Sequence, residues 1–302
     1  ELWKSNGTAL GTSVVKTIAS GGADYPDSIR ALGSLLYFSG RDVSNGTELW
    51  ISDGSAAGTQ LLKDISSGTD SSYPRGFTVL GSNVYFQARD TVNGTELWKT
   101  DGTTAGTQLF KDIYSGVSDA SPNELIELSG SLYFRADDGI NGAEFWKTDG
   151  TEAGTVMLQD IYSGPGDSYP NSITNLDGVL YFIGSNVAQG GELWRSDGSA
   201  AGTQIVKDIN LATAASMPAY LTPVGNTLFF VADDGVSGSE LWKTDGTPAG
   251  TVLVKDMAPG VDGIFPQFSQ ENFASFNNKL FFTVDDGING DELWESDGSN
   301  TG

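Results

Sequence analysis

The 302-residue sequence contains no cysteine and no histidine. Without cysteine there is no disulfide, no zinc–thiolate site and no thiol nucleophile. Without histidine there is no Ser-His-Asp triad and no imidazole base, and most catalytic zinc or copper sites are excluded with them. Positive charge is scarce as well: 16 basic residues stand against 39 acidic ones, a net charge of −23. Phosphate binding needs clustered Lys and Arg, so the balance argues against a nucleic-acid partner. It suits a soluble protein in salty or calcium-containing surroundings, and a solvated acidic surface accounts for it without a ligand. No apolar run approaches the roughly 20 residues that span a bilayer, and no signal peptide opens the chain, so direct membrane insertion is not expected. The chain starts and stops inside a recurring motif, at Glu1-Leu2-Trp3 and Asp297-Gly298-Ser299, which reads as a segment of something longer.

What is present is a repeat. All seven tryptophans (Trp3, Trp50, Trp98, Trp146, Trp194, Trp242 and Trp294) follow Glu-Leu or Glu-Phe and precede, two residues on, Asp-Gly or Asn-Gly. Their spacings are 47, 48, 48, 48, 48 and 52 residues. One unit reads as four short strands. The first follows a proline, as at Pro170 to Leu176; a turn at Asp177-Gly178 leads to the second, Val179 to Ile183. A polar loop precedes the third, Glu-Leu-Trp, and an Asp-Gly-Thr-x-x-Gly-Thr turn such as Asp245 to Thr251 leads to the fourth, Val252 to Met257. Short strands separated by Gly, Asn and Asp turns are the signature of antiparallel hairpins, and helical periodicity is absent.

Four antiparallel strands per 40–50 residues is the propeller pattern. The fold class expected is therefore all-β, a β-propeller of six four-stranded blades built from ~48-residue repeats. Leu and Trp of each Glu-Leu-Trp point to opposite faces of the sheet, so each can pack on a neighbouring blade. One propeller is expected over 1–302, in units 1–47, 48–95, 96–143, 144–191, 192–239 and 240–291 with a partial unit 292–302. Six fourth strands but seven Glu-Leu-Trp strands leave Glu1–Trp3 and Glu292–Trp294 competing for one slot; closure by the N-terminal fourth strand is favoured.

The sequence Glu-Leu-Trp-x-x-Asp-Gly-Thr, then Ala-Gly-Thr and a Leu-Val-Lys-Asp-Ile strand, is nearly complete at Glu96 to Ile113 and Glu240 to Met257. It resembles the ELWxxDGT-repeat, or hyalin-like, proteins of bacteria over essentially the whole chain. The resemblance implies parts of large secreted or cell-surface proteins and brings no settled activity. Departures such as Asn6, Thr17 and Phe145 in place of the usual Asp, Asp and Leu touch single blades only.

With strands running up, down, up, down, the loop after strand two and the connection after strand four emerge on one side. Binding concentrates on such loops. The connections carry an aromatic before proline at Tyr25, Tyr73, Tyr169 and Phe265, with Ser121 and Met217 at the other two copies, and acids nearby at Asp24, Asp70, Asp119, Asp167 and Asp262. Aromatic platforms beside carboxylates suit sugars, although an aromatic that packs on its proline is the plainer reading. A second constellation is Asp137, Asp138 and Asn141, with counterparts Asp233 and Asp234, and Asp285, Asp286 and Asn289. These oxygens could serve calcium, but the same residues favour turns by bonding their own backbone, and Arg41 and Arg89 replace the first Asp in two units. The repeated Glu before Leu-Trp reads as bonding backbone at a strand edge, the tryptophans as interblade core, and the fourth-strand Lys-Asp pairs as outer-edge charges.

No cofactor is required, with calcium as the one open candidate. The expected function is a non-enzymatic extracellular surface or matrix scaffold or adhesion module, whose partner is a glycan, a protein surface or further copies of itself. A lectin-like glycan-binding propeller is the alternative, and a carboxylate-based glycosidase or lyase a weaker third.

Overall fold

The computed structural model describes residues 1–19, 26–211, 213–257, 273–285 and 290–299. Among these, every regular element is a β-strand. The chain divides into two compact units, Glu1–Val156 and Met157–Gly302. In the first unit, β1 (Leu2–Lys4) and β2 (Ser13–Lys16) pair as a two-stranded sheet. A four-stranded sheet follows from β3 (Asp27–Leu32), β4 (Leu35–Asp42), β5 (Gly46–Ser52) and β6 (Gln60–Lys63). Another is made by β7 (Arg75–Leu80), β8 (Asn83–Asp90), β9 (Gly94–Thr100) and β10 (Gln108–Lys111). The next has β11 (Asn123–Leu128), β12 (Ser131–Asp137) and β13 (Ala143–Thr148), and its outermost strand β14 (Val156–Gln159) begins at the boundary.

The second unit repeats the scheme with β15 (Asn171–Leu176), β16 (Val179–Asn186), β17 (Gly190–Ser196) and β18 (Gln204–Lys207). It continues with β19 (Ala219–Val224), β20 (Thr227–Asp233), β21 (Ser239–Thr244) and β22 (Val252–Lys255). A three-stranded sheet of β23 (Phe273–Phe276), β24 (Lys279–Asp285) and β25 (Asp291–Ser296) ends it. Strands are antiparallel and adjacent in chain order, the meander of propeller blades, and the fold is a β-propeller fold. A blade runs from the strand after a proline to the next fourth strand. The structural unit is therefore offset by half a blade from a sequence repeat counted from Glu-Leu-Trp.

Alternation along the third strand packs the blades. Leu49, Leu97, Phe145, Leu193 and Leu241 are fully buried, and the following tryptophans nearly so. Leu193 joins Val206 and Ile209 of its own blade against Leu228, Phe230 and Trp242 of the next, and Leu49 meets Val84, Phe86 and Trp98 in the same way. Leu thus faces the following blade and Trp the preceding one. The outermost copies agree: Trp3 is 55% exposed and Leu293 72%, whereas Leu2 is buried with Phe38 and Trp50. Each buried Leu or Phe contributes about 1.5–3 kcal/mol relative to exposure.

The Asp-Gly-Thr-x-x-Gly-Thr turn recurs because its side chains close it. Asp101 Oδ1 accepts from the Thr103 N–H and hydroxyl at 2.9 and 2.7 Å, Gly106 N–H donates to Thr103 Oγ1 at 2.9 Å, and the Thr100 and Thr107 hydroxyls meet at 2.7 Å. The same set recurs around Asp53, Asp149, Asp197 and Asp245. The serine or threonine two residues on holds each of these carboxyls below the usual range.

One feature of the first strands has no counterpart in the sequence expectation. The second residue of each, Ser28, Gly76, Glu124, Ser172 and Tyr220, has φ between 54° and 70°, and the pairing register slips there. This is a repeated β-bulge, which adds twist where successive first strands lie side by side, β3 on β7 on β11 and β15 on β19 on β23.

Candidate functional site

The site is built on the connection between blades, and a buried glutamate fixes that connection. Glu48 is fully buried. Its Oε2 accepts from the Ile65 N–H at 2.7 Å and the Ser72 hydroxyl at 2.6 Å, and its Oε1 accepts from the Ser72 N–H at 2.9 Å. Glu192 does the same with Ile209 and Ser216. Glu96 uses the backbone of Ile113, Tyr114 and Ala120, and lacks a hydroxyl partner where Ala120 replaces serine. These glutamates bond backbone as expected, but inside the blade junction rather than at a strand edge. They gather both ends of an otherwise irregular loop onto the start of the third strand. Burial pushes Glu48 up to about 7 against its donors and Glu96, with fewer donors, up to about 8. Glu192 is raised for the same reason.

The loop after strand two meets this connection, as chain direction requires. The Ser72 and Tyr73 N–H groups donate to Thr47 O at 3.0 and 3.2 Å, and the Arg89 N–H donates to Ser72 O at 2.9 Å. Gly46 and Gly94 turn the chain at this point with φ of 71° and 72°; a Cβ at Gly94 would run into the carbonyl of Ser118.

Clamped this way, the residue before each proline takes a left-handed backbone: Tyr73 (φ 47°), Ser121 (49°), Tyr169 (45°) and Met217 (47°). Such a conformation costs a non-glycine residue on the order of 1–3 kcal/mol. The prolines behind them are buried, while Tyr73, Tyr169 and Met217 remain 61, 55 and 58% exposed. More than half of each of these side chains is therefore open to solvent. Tyr25 and Phe265, with Asp24 and Asp262, lie outside the described residues.

The acids near the aromatics divide. Asp119 accepts from the Thr95 N–H at 2.7 Å, the place that Ser71 Oγ takes beside Thr47 at 2.9 Å, so it serves the loop. Asp167 occupies the matching position 48 residues on and is half-buried. Asp70 is exposed one position earlier, and its carbonyl abuts Gly46.

The candidate calcium loops are turns closed by their own acids. Asp138 accepts from the backbone of Ile140 and Asn141 and from the Asn141 amide at 2.8–2.9 Å. Burial pushes its carboxyl up, and these hydrogen bonds outweigh burial to hold it low. Asp137 accepts from Gly139, Asp233 from Gly235, and Asp234 from Val236 and Ser237. Among the described residues no three His, Cys, Asp or Glu side chains gather around a common point. Asp286 and Asn289, and the side chain of Asp285, lie outside the described residues.

Of the fourth-strand lysines, Lys16 and Lys207 reach the next repeat, donating to Thr59 O at 2.6 Å and Thr251 O at 2.8 Å. They tie neighbouring blades together rather than only guarding an edge.

Described residues of the first unit line cavities beside the connections. One of about 910 Å³ runs along β3, β7 and β11, with Arg30, Thr78, Glu124 and Glu127 among its walls. Another, about 320 Å³, sits where the connection meets the β4–β5 hairpin and is lined by Asp27, Ser39, Arg41, Thr47, Tyr73 and Arg75, among others. Of these, Tyr73 is a candidate from the sequence, whereas Arg41 bears there only against calcium and Arg75 belongs to no motif. Their signal was departure from the repeat: Arg41 stands where later units carry Asp137 and Asp233, and Arg75 where they carry Asn123, Asn171 and Ala219.

No protein-family model matches the sequence, and no curated protein matches it. Solved structures do match in shape. The computationally designed Ika8 protein is 15% identical with a TM-score of 0.50, over 95% of this chain and 75% of its own. Oligopeptidase B from Leishmania major is 13% identical with a TM-score of 0.53, over 91% of this chain but only 40% of the oligopeptidase. The β-propeller domain of the Trilobed protease from Pyrococcus furiosus is 14% identical with a TM-score of 0.43, over 91% of this chain and 83% of that one. At such identities, likeness concerns the fold alone.

Proposed function

We propose that this chain is a non-enzymatic extracellular surface or matrix module that engages its partner through the exposed residues of its interblade connections. One observation carries the reading: at Tyr73, Tyr169 and Met217 the backbone is held in a left-handed conformation directly before proline, and each side chain is turned to solvent. Strain of this kind concentrates where a side chain has to be presented. The acids that would have to serve a glycosidase or lyase are largely occupied, the glutamates by backbone donors and the loop aspartates by their own turns. The extracellular setting rests on the repeat's resemblance to bacterial surface proteins.

A lectin-like role is the second reading, favoured by Tyr73, whose exposed ring borders a pocket lined by polar side chains. Tyrosine offers an apolar face for the C–H side of a sugar and a hydroxyl beside it. A glycan array probed in calcium and in EDTA, with wild-type protein and with Tyr73→Ala and Tyr169→Ala, tests both readings. Glycan binding lost in the tyrosine variants supports the lectin; dependence on calcium would add the metal. No glycan binding in either buffer leaves the scaffold role, and binding indifferent to both tyrosines removes the connections as its site.

A further inference from the structure

Among near-identical repeats, the junction between β3–β6 and β7–β10 departs from the consensus by gathering arginines. Five of the chain's six arginines fall between residues 30 and 135. Two of them, Arg41 and Arg75, line the same pocket of about 320 Å³ beneath Tyr73. Both are exposed, and among the described residues neither guanidinium pairs with a carboxylate, in a chain of net charge −23. Apart from Arg89 in the following blade, the equivalent described positions of the other blades carry Asp, Asn, Ser or Ala.

Arg75 is also aimed. The Gln87 amide, itself buried, is assigned with its oxygen accepting from Arg75 Nε at 3.0 Å and Nη2 at 2.8 Å, while its nitrogen donates to Pro122 O at 2.6 Å. One edge of the guanidinium is thereby fixed to the blade. Among the described residues the Nη1–Nη2 edge has no partner, and that edge has the geometry to take a carboxylate or sulfate by two parallel hydrogen bonds. Thr47 and Ser39 add hydroxyls to the wall, and the strained Tyr73 backbone, bonded to Thr47 O, sets the ring at the rim. The volume is at the small end of the roughly 300–1,000 Å³ range of ligand sites, room for about one sugar residue of a longer chain.

We infer that this pocket binds an acidic saccharide, with Arg41 and Arg75 holding the anionic substituent of one residue and Tyr73 stacking on its ring. The inference rests on the reading of the connections as the binding face and adds the ligand's chemical class. An acidic peptide could satisfy the arginines, but it has no ring for the tyrosine platform.

The test is titration calorimetry in EDTA with a short oligogalacturonate, its methyl-esterified form and a poly-glutamate peptide of similar charge. Wild type, Arg41→Gln, Arg75→Gln and Tyr73→Ala are compared, each first checked by thermal melt. The expected result is binding of the acid form, weakened at least tenfold by esterification and by each arginine substitution. Tyr73→Ala should weaken it several-fold, and poly-glutamate should bind at least tenfold more weakly than the saccharide. Equal binding of acid and ester, lost with Tyr73→Ala but not with the arginine variants, overturns the acidic class and leaves the binding face standing. Equal binding of poly-glutamate overturns the saccharide and leaves an anion site. No binding of any probe, or binding that none of the three substitutions alters, overturns the pocket as a site; the Tyr169→Ala result on the array then decides separately whether the connections bind at all.

Discussion

The blade junctions contain a natural substitution experiment. Ser72 and Ser216 donate their hydroxyls to Glu48 and Glu192 at 2.6 Å, whereas Ala120 stands at the same point beside Glu96. All three positions are essentially fully buried, so the site accepts either residue. Ser72→Ala removes the short hydroxyl bond to Glu48 and a long 3.5 Å approach to Thr47 O, and leaves the N–H bonds of residue 72 in place. Against an ionised glutamate the cost is about 2 kcal/mol, and against a protonated one about 1 kcal/mol. Glu48 titrates near 7 in the folded chain against an ordinary 4.5, so the larger figure applies at pH 9 and the smaller at pH 5.5. Ala120→Ser should do the reverse: stabilise by about 1–2 kcal/mol at pH 9 and pull Glu96 down from about 8 toward Glu48. Urea unfolding at both pH values, with thermal melts shifted by roughly 2–4 °C per kcal/mol, reads the effect. The reasoning is refuted if Ser72→Ala costs the same at both pH values, or if Ala120→Ser destabilises.

Stability of the unmodified chain should peak in mildly acidic buffer. Because the folded state raises Glu48 and Glu96, the stability they add is complete below about pH 4.5 and is lost as pH rises through about 7 to 8. The turn aspartates, held below 3.8, contribute the opposite dependence, lost as pH falls through their folded values, so a melting-temperature profile should have its maximum between about pH 4 and 6. A rising profile from pH 5 to 8 would contradict the burial argument. Gly94→Ala places a Cβ against the Ser118 carbonyl at a positive φ, and denaturant titration should show a loss of about 2 kcal/mol or more, while Gly81→Ala, with open space around it, costs only the backbone term of about 1 kcal/mol. Trp98→Ala opens the junction that Leu49 and Phe86 close and should cost about 3–5 kcal/mol by the same titration.

Much of this architecture was legible because it repeats. A tryptophan every 48 residues, flanked by glycine turns, specifies four strands per unit, and alternation within Glu-Leu-Trp specifies which side chain faces which neighbour. The Asp-Gly-Thr-x-x-Gly-Thr turn was legible for the same reason, since each side chain closes a bond within seven residues of itself. What escaped was non-local or carried by the backbone. The bulge in the first strand falls on Ser28, Gly76, Glu124, Ser172 and Tyr220, a set with no shared side-chain chemistry. Glu48 reaches Ser72 across 24 residues, a pairing invisible until the connection folds back over the start of β5.

The same logic separates scaffold from site. A residue found in every blade is accounted for by the blade, as the glutamates and turn aspartates are by their own hydrogen bonds. Function is sought where a blade gives up its consensus residue for a charge that no carboxylate among the described residues pairs. Phe145 fails that criterion, because it is fully buried in place of leucine and stacks with Tyr133. Arg89 replaces the consensus aspartate as Arg41 does, but only Arg41 shares its pocket with an exposed aromatic and a second arginine oriented from behind. The repeat supplies the control: converting Arg41 to the aspartate of its counterparts should leave the melting temperature within about 2 °C, a change of under ~0.5 kcal/mol for an exposed side chain, while abolishing binding of whatever anion the pocket holds. A large loss of stability from Arg41→Asp would show that the arginine belongs to the blade after all.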